Sequence, residues 1–287
     1  MGKLDKIQTW ATNLAQSAMS VVKIALLSRR PSPLPPASAS ELVILANGPS
    51  LSSTVEEHSD FLKGKALLAV NFCATSPMFE RLRPEYYLIA DPLFWIVDDK
   101  RDKLFGALAG RTSWPMHFFV PAKAMADKRW QTMIASNPNI RLHVYNTTPI
   151  EGFRGFAEWI YRRGLGVPRP HNVLIPSIAQ ALRMPFDKIY LAGADHSWLP
   201  EITVTDSNEV LMNQKHFYDD GKSRAEGVKQ ENLATARLHT ILFHMYTAFK
   251  AYFTLRDYAE SLGKEVINIT PGSYIDAFPR LKLSDTK

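Results

Sequence analysis

The chain has 287 residues, 46% of them hydrophobic and 22% charged, with six tryptophans; this is enough apolar material for one large core and excludes a disordered protein. A single cysteine, Cys73, excludes an internal disulfide, and no Cys/His spacing has the form of a zinc site. The formal net charge of +6 favours anionic partners such as nucleotides or phospholipid surfaces, while no recognition-helix, zinc-finger or RNP-like pattern points to nucleic acid.

Residues 1–30 read as an amphipathic helix. Leu4, Ile7, Ala11, Leu14, Ala18, Val21, Val22 and Ala25 follow helical spacing, and Lys3, Lys6, Lys23, Arg29 and Arg30 outnumber Asp5. Such a helix suits a membrane interface, with Trp10 near the headgroups, or packing on its own domain or on a sister subunit in a homo-oligomer. The apolar residues are interleaved with polar ones, unlike a secretory signal, and no apolar run reaches the roughly 18 residues of a membrane span. The expected location is therefore cytoplasmic, with peripheral attachment to the inner face of the membrane as an option. Residues 31–40 hold four prolines, which stop the helix and form a stiff linker.

From residue 41 the pattern changes to short apolar runs separated by helical segments. Leu42–Ala46, Ala66–Val70, Tyr86–Ala90, His117–Val120, Leu142–Tyr145, Lys188–Ala192 and Glu265–Ile269 read as strands. Continuous apolar runs suit parallel strands covered on both faces. Val173–Met184 and Leu233–Leu262 read as helices, and residues 202–212 as a hairpin turning at Asp206-Ser207-Asn208. The expected fold is α/β, a Rossmann-like, doubly wound, mostly parallel sheet. One nucleotide-binding catalytic domain would span 41–280, with a lid insertion at about 198–232 and a tail at 281–287.

Ligands of such sheets sit beyond the carboxyl ends of the strands. The first strand is followed by Asn47, Gly48, Pro49 and Ser50, the second by Asn71, the third by Asp91 and the sixth by Gly193 and Asp195. Glycines let backbone approach a ligand closely, and the amide and carboxylate side chains can bind a base or ribose. Gly272 and Ser273 form another turn after the last strand. None of these loops is a GxGxxG or P-loop motif. His216 is the candidate general base, with His196 as the other candidate, and Tyr218 is a candidate donor to phosphate. Arg169, His171, Asn172 and Ser197 are weaker candidates for phosphate or sugar contact. The acidic pairs Asp98-Asp99 and Asp219-Asp220 are adjacent, which does not have the form of a metal cluster, so no metal is expected.

The segment Leu45-Ala46-Asn47-Gly48-Pro49-Ser50-Leu51 resembles the first loop of the bacterial sialyltransferases of glycosyltransferase family 42, which contacts a cytidine nucleotide. Asn71, Asp91-Pro92, Ile189–Asp195 and His216-Phe217-Tyr218 are similar to later motifs of that family in the same order. The resemblance implies a metal-independent, inverting glycosyltransferase that needs no cofactor and uses a CMP-sugar donor. His216 and Tyr218 would be its catalytic pair, and a cell-surface glycan or glycolipid, such as lipopolysaccharide, its acceptor. Where the family carries the Thr-Ser-Gly that holds the sialic acid carboxylate, this chain has Pro170-His171-Asn172, so the sugar widens to sialic acid, Kdo or a similar acidic sugar. The same loop is similar to a wider Rossmann-like group that includes motility-accessory glycosyltransferases and hydroxymethylpterin pyrophosphokinases. A Mg-dependent pyrophosphokinase and a non-catalytic nucleotide-binding module are the alternatives.

Overall fold

A computed structural model describes residues 2–219, 222–230 and 232–286. Asp220, the second member of one acidic pair, lies outside them.

The chain opens with α1 (Lys3–Leu27) and then runs extended to β1 (Glu41–Leu45). The proline-rich stretch lies against the edge of the sheet rather than standing clear of it. Ser32 N–H donates to Val144 O, Ser32 Oγ accepts from Val144 N–H, and Tyr86 Oη donates to Pro36 O. The two Ser32 bonds cover part of the β5 edge, which would otherwise present unpaired backbone groups.

Alternating helices and strands follow: α2 (Ser50–Glu57), α3 (Ser59–Leu62), β2 (Ala66–Val70), α4 (Pro77–Leu82), β3 (Tyr86–Leu88), α5 (Leu93–Ile96), α6 (Asp98–Arg111), β4 (Met116–Pro121), α7 (Lys128–Ala135) and β5 (Ile140–Tyr145). The return half contains α8 (Arg154–Arg162), α9 (Leu174–Arg183), β6 (Lys188–Ala192), the short strands β7 (Ile202–Val204) and β8 (Val210–Met212), α10 (Leu238–Ser261) and β9 (Glu265–Asn268).

Seven strands form one parallel sheet in the order β5-β4-β3-β2-β1-β6-β9. Alternation along β1 explains why its whole run is apolar. Leu42 and Ile44 enter the layer formed with Leu182 of α9 and Leu255 of α10, whereas Val43 and Leu45 enter the opposite layer with Leu51, Val55 and Phe105. The fold is the α/β, Rossmann-like, mostly parallel architecture expected. The chain builds outward from β1 to β5 and then crosses back to lay β6 on the other side of β1. That reversal opens a crevice between the β1 and β6 loops, where doubly wound sheets bind ligands.

β7 and β8 pair antiparallel above this crevice, and Met212 bridges to Glu226. Val210, Met212, Ala236, Ile241 and Met245 give this small lid its own apolar cluster against α10. The expected helix 233–262 is shorter at its start. Leu233 has φ +64°, and Ala236 N–H donates to Val228 O, so residues 233–237 belong to the lid and α10 begins at Leu238. An apolar periodicity does not distinguish a helical turn from a segment that packs apolar residues on a helix. Among the described residues no helix is long and apolar enough to cross a membrane.

Candidate functional site

The β1 loop and the β6 loop are fastened to each other. Gly48 N–H donates to Gly193 O at 2.8 Å, and Ser50 Oγ donates to Asp195 Oδ2 at 2.8 Å. Ser50 N–H reaches Asp195 Oδ1 at 3.4 Å, so Asp195 caps the start of α2 from across the sheet. Burial pushes the Asp195 carboxyl above its ordinary range, against the two bonds from Ser50. Gly48 is required by contact: a Cβ there would meet Asp195 Oδ2 at 1.9 Å and Gly193 O at 2.5 Å. Gly193 is required by conformation as well, with φ +67°.

Above this junction lies a cavity of about 880 Å³, roofed by the lid. Asn47, Gly48, Pro49, Asn71, Asp91, Gly193 and Asp195 line it, as the strand-end reading expects. Arg169, His171, Asn172, His196, Ser197 and His216 line it too. Two of these residues, Asn71 (φ +48°) and His196 (φ +51°), hold left-handed backbone, which costs energy outside glycine and clusters at functional sites. Asn71 is fixed there by its carbonyl, which accepts from Tyr87 Oη, and by Oδ1, which accepts from Ala90 N–H. Asp91 Oδ1 accepts from Leu93 N–H at 2.9 Å, which forms the turn into α5.

Among the described residues, four side-chain atoms are buried with no hydrogen-bond partner: Asn47 Oδ1, His171 Nε2, Asn172 Nδ2 and Asn213 Oδ1. All four residues line this cavity. An unsatisfied buried polar atom costs about 1–3 kcal/mol, so their convergence on one cavity marks a place that a polar ligand or ordered water satisfies. Asn172 shows how the orientation is imposed. Its Oδ1 accepts from Leu174 N–H, Ile175 N–H and Tyr252 Oη at 3.0, 3.3 and 3.1 Å, which caps α9 and leaves the amide nitrogen as the unpaired end.

The histidines divide by their partners. His196 Nε2 lies 2.5 Å from Tyr252 Oη, and Tyr252 donates onward to Asn172. That direction requires Nε2–H on His196, so this nitrogen is a donor and not a base. Burial lowers His196 to about 3. His171 stacks on His244 at 4.5 Å, and burial, then His244 and Arg169, lower it to about 4. His216 differs. Its Nδ1 lies 3.2 Å from Asp219 Oδ2, which also accepts from His216 N–H at 2.7 Å. A carboxylate on Nδ1–H leaves Nε2 as a proton acceptor and holds the ring in place. The lid carrying this pair is tied to the β1 loop, because Phe217 N–H donates to Asn47 O at 3.0 Å.

Four expected site residues stand outside the cavity wall, the first being Ser50, whose hydroxyl is taken up by Asp195. Tyr218 does not line the cavity: it stacks behind His216 at 4.9 Å and packs against Phe72. Burial raises its hydroxyl well above the ordinary value. Gly272 and Ser273 also lie outside the cavity wall. Ser273 Oγ donates to Ala194 O and accepts from Asn268 Nδ2, so this turn fastens β9 to the β6 loop. Arg169 reaches the cavity, but its guanidinium holds Glu151 with contacts of 2.8 and 3.3 Å. Burial works against the Glu151 carboxylate, yet Arg169 and Lys23 outweigh it and hold it below the usual range.

Asp219, legible in the sequence only as half of an acidic pair, supports the site, and Lys123, Asn213, His244 and Tyr252 belong to the site or its supports without being expected there. Of these four only His244 carries a signal in the sequence, as a histidine on the same helical stripe as Ile241, Met245 and Ala248. Among the described residues no three His, Cys, Asp or Glu side chains are grouped so as to hold a metal ion.

The depressed histidines make acid sensitivity predictable. His196 (about 3), His171 and His117 (each about 4) lie below the ordinary 6.5 because burial disfavours their charged forms. The unfolded chain therefore binds protons that the folded chain refuses. Their contribution to stability is complete above pH 6.5 and is lost as pH falls toward 4. The melting temperature should fall over that interval, and His196→Asn, which tolerates left-handed backbone, should make the fall shallower. An unchanged slope would count against a neutral His196.

No family model matches this sequence, and no curated protein matches it. A solved structure does: the MAf glycosyltransferase from Magnetospirillum magneticum AMB-1, at 10% identity and a TM-score of 0.51. The likeness covers 95% of this chain and 39% of that one, so the chain spans about two fifths of that protein's length. At this identity the likeness is one of fold, and the fold is one that a glycosyltransferase uses.

Proposed function

We propose that this protein is a glycosyltransferase that takes a CMP-linked acidic sugar as donor and a glycan or glycolipid hydroxyl as acceptor. The observation that carries the reading is the convergence of four unpartnered buried polar atoms on one cavity beneath the lid. A volume of about 880 Å³ suits a nucleotide-sugar together with part of an acceptor. The Asn47 and Asn213 oxygens call for ligand N–H or O–H donors, and the Asn172 amide calls for an acceptor. A hydroxylated, amine-bearing ligand such as a cytidine sugar supplies both.

In the reaction, His216 Nε2 takes the proton of the acceptor hydroxyl as its oxygen bonds to the anomeric carbon. The bond from that carbon to the donor phosphate breaks on the opposite face, which inverts the centre, and CMP leaves with the electron pair. Asp219 keeps the imidazole oriented and offsets the charge it gains. Lys123, in the cavity wall, supplies positive charge for the departing phosphate, and Arg169, already paired with Glu151, adds less. Gly48 and Gly193 let the β1 and β6 loops lock together beneath the nucleotide.

Nucleotide selectivity tests the reading. At about 100 times its dissociation constant, CMP should stabilise the folded chain by about 2.7 kcal/mol. AMP, GMP and UMP at the same concentration should raise the melting temperature far less. Equal or greater stabilisation by ATP with Mg²⁺ would favour the pyrophosphokinase reading instead.

A further inference from the structure

α1 is attached to the domain by the wrong face for a helix of its composition. Asn13, Ser17, Ser20 and Ile24 follow helical spacing and turn inward. Ser17 Oγ accepts from Phe153 N–H, and Ser20 Oγ exchanges bonds with Glu151 N–H and O. Lys23 pairs with Glu151 at 3.4 Å. Gly152, at φ +118°, allows the approach, because a Cβ there would meet Ser17 Oγ at 2.2 Å. The opposite face, with Leu4 (81% exposed), Ile7, Leu14, Val22 and Leu26 (69%), faces solvent. A soluble helix normally buries its apolar stripe and exposes its polar one; here the arrangement is inverted. α10 lies beside α1 across a cleft lined by Asn13, Gln16, Thr247 and Lys250, and it too exposes Leu242, Phe243 and Tyr246.

We propose that the outer face of α1 docks on an anionic phospholipid surface, with the helix lying in the plane of the headgroups. Charge identifies the occupant. Exposed Lys3 and Lys6 stand at one end of the apolar face, and exposed Arg29 and Arg30 at the other. The one acid on the helix, Asp5, already accepts from Gly2 N–H. A second copy docked antiparallel would set Lys3 and Lys6 against Arg29 and Arg30, and a parallel copy would set each pair against itself. Both juxtapose like charges, which opposes self-association. An anionic bilayer neutralises both ends, at about fivefold in affinity for each basic residue near the surface. Trp10, the residue type that favours the headgroup level, stands at the flank of this face, more than half exposed and with one side of its ring toward Phe153 at 6.1 Å. Because α1 is fixed to the body through Ser17, Ser20 and Lys23, docking would hold the whole domain at the surface.

The test is sedimentation of the full chain with vesicles of phosphatidylcholine alone or with about 30% phosphatidylglycerol. The chain should sediment with the anionic vesicles and release as salt rises. The double substitution Ile7→Glu and Leu14→Glu should weaken binding by at least about tenfold while melting close to the native chain, since both side chains stand about half exposed on the outer face. If that variant unfolds, Lys3→Glu with Lys6→Glu serves in its place. The emission of Trp10, taken as the difference between the native chain and Trp10→Phe, should shift to the blue on anionic vesicles. Absence of binding, or binding that neither variant weakens, overturns the proposal. So does a concentration-dependent dimer that forms without lipid and is abolished by the same substitutions, because the occupant is then a second copy.

Discussion

Replacement of His216 by alanine is expected to lower turnover by about 10²–10⁴-fold, the usual worth of a positioned general base. Release of CMP from the donor in the presence of acceptor measures it, and the native melting temperature should be retained, since His216 is partly exposed and packs chiefly on Tyr218. The donor KM should change little, because the group removed acts on the acceptor proton and not on the nucleotide. Asp219→Asn should reduce turnover less, by roughly 10–100-fold, with partial rescue by Asp219→Glu, because Asp219 acts only through the orientation of the ring. Full activity in His216→Ala would remove this histidine from the reaction. Donor binding without turnover in the native chain would instead favour a non-catalytic module.

Gly48→Ala is expected to destabilise the chain strongly. The new Cβ would lie 1.9 Å from Asp195 Oδ2, 2.7 Å from Asp195 Cγ and 2.5 Å from Gly193 O. The two loops are already joined at 2.8 Å by Gly48 N–H and Gly193 O, so backbone cannot yield without breaking that bond. Turning Asp195 aside would separate its carboxylate from Ser50 and leave it half-buried without that donor. Overpacking at a site that cannot relax costs about 3 kcal/mol or more, which corresponds to melting roughly 6–12 °C lower for a chain of this size. Gly110→Ala provides the contrast. Gly110 lies near the end of α6, and a Cβ there meets nothing within 4 Å. It should be neutral or stabilise by up to about 1 kcal/mol through the reduced freedom of the unfolded chain. Both are measured by thermal or urea unfolding. Equal effects of the two substitutions would show that the β1–β6 junction is looser than its hydrogen bonds imply.

Much of the fold is legible in the sequence because its signals are local. The buried strands read as apolar runs, since residues on both faces of each strand meet a helix layer. The polar residue that follows a strand is legible for the same reason, as it marks where the apolar requirement ends. Asn47, Asn71, Asp91 and Asp195 were found in this way, and all line the cavity. The helix expected at 233–262 starts later, at Leu238, because Ala236 is buried in the lid cluster and Leu233 holds left-handed backbone, neither of which a local apolar pattern records.

Position in the chain and polarity thus suffice to determine the strands, the α/β class and the loops that gather at one edge. The pairing of side chains across the molecule lies beyond them. Ser50 and Asp195 look like two ligand contacts, yet folding joins them to each other, 145 residues apart, and makes Asp195 a cap for α2. Tyr218 and His216 look like a catalytic pair, but the lid's turn puts Asp219 on the imidazole and tucks Tyr218 behind it. The four unpartnered atoms of the cavity come from three loops, those after β1, before α9 and after β8. The amphipathicity of α1 is plain from its spacing, but which face meets the domain is not, since hydrogen bonds from Ser17 and Ser20 to residues 151–153 outweigh the usual preference to bury the apolar stripe. Periodicity records only what each element prefers on its own. Partner choice depends on distances that exist once the elements have packed, and that is where the chemistry of this site is decided.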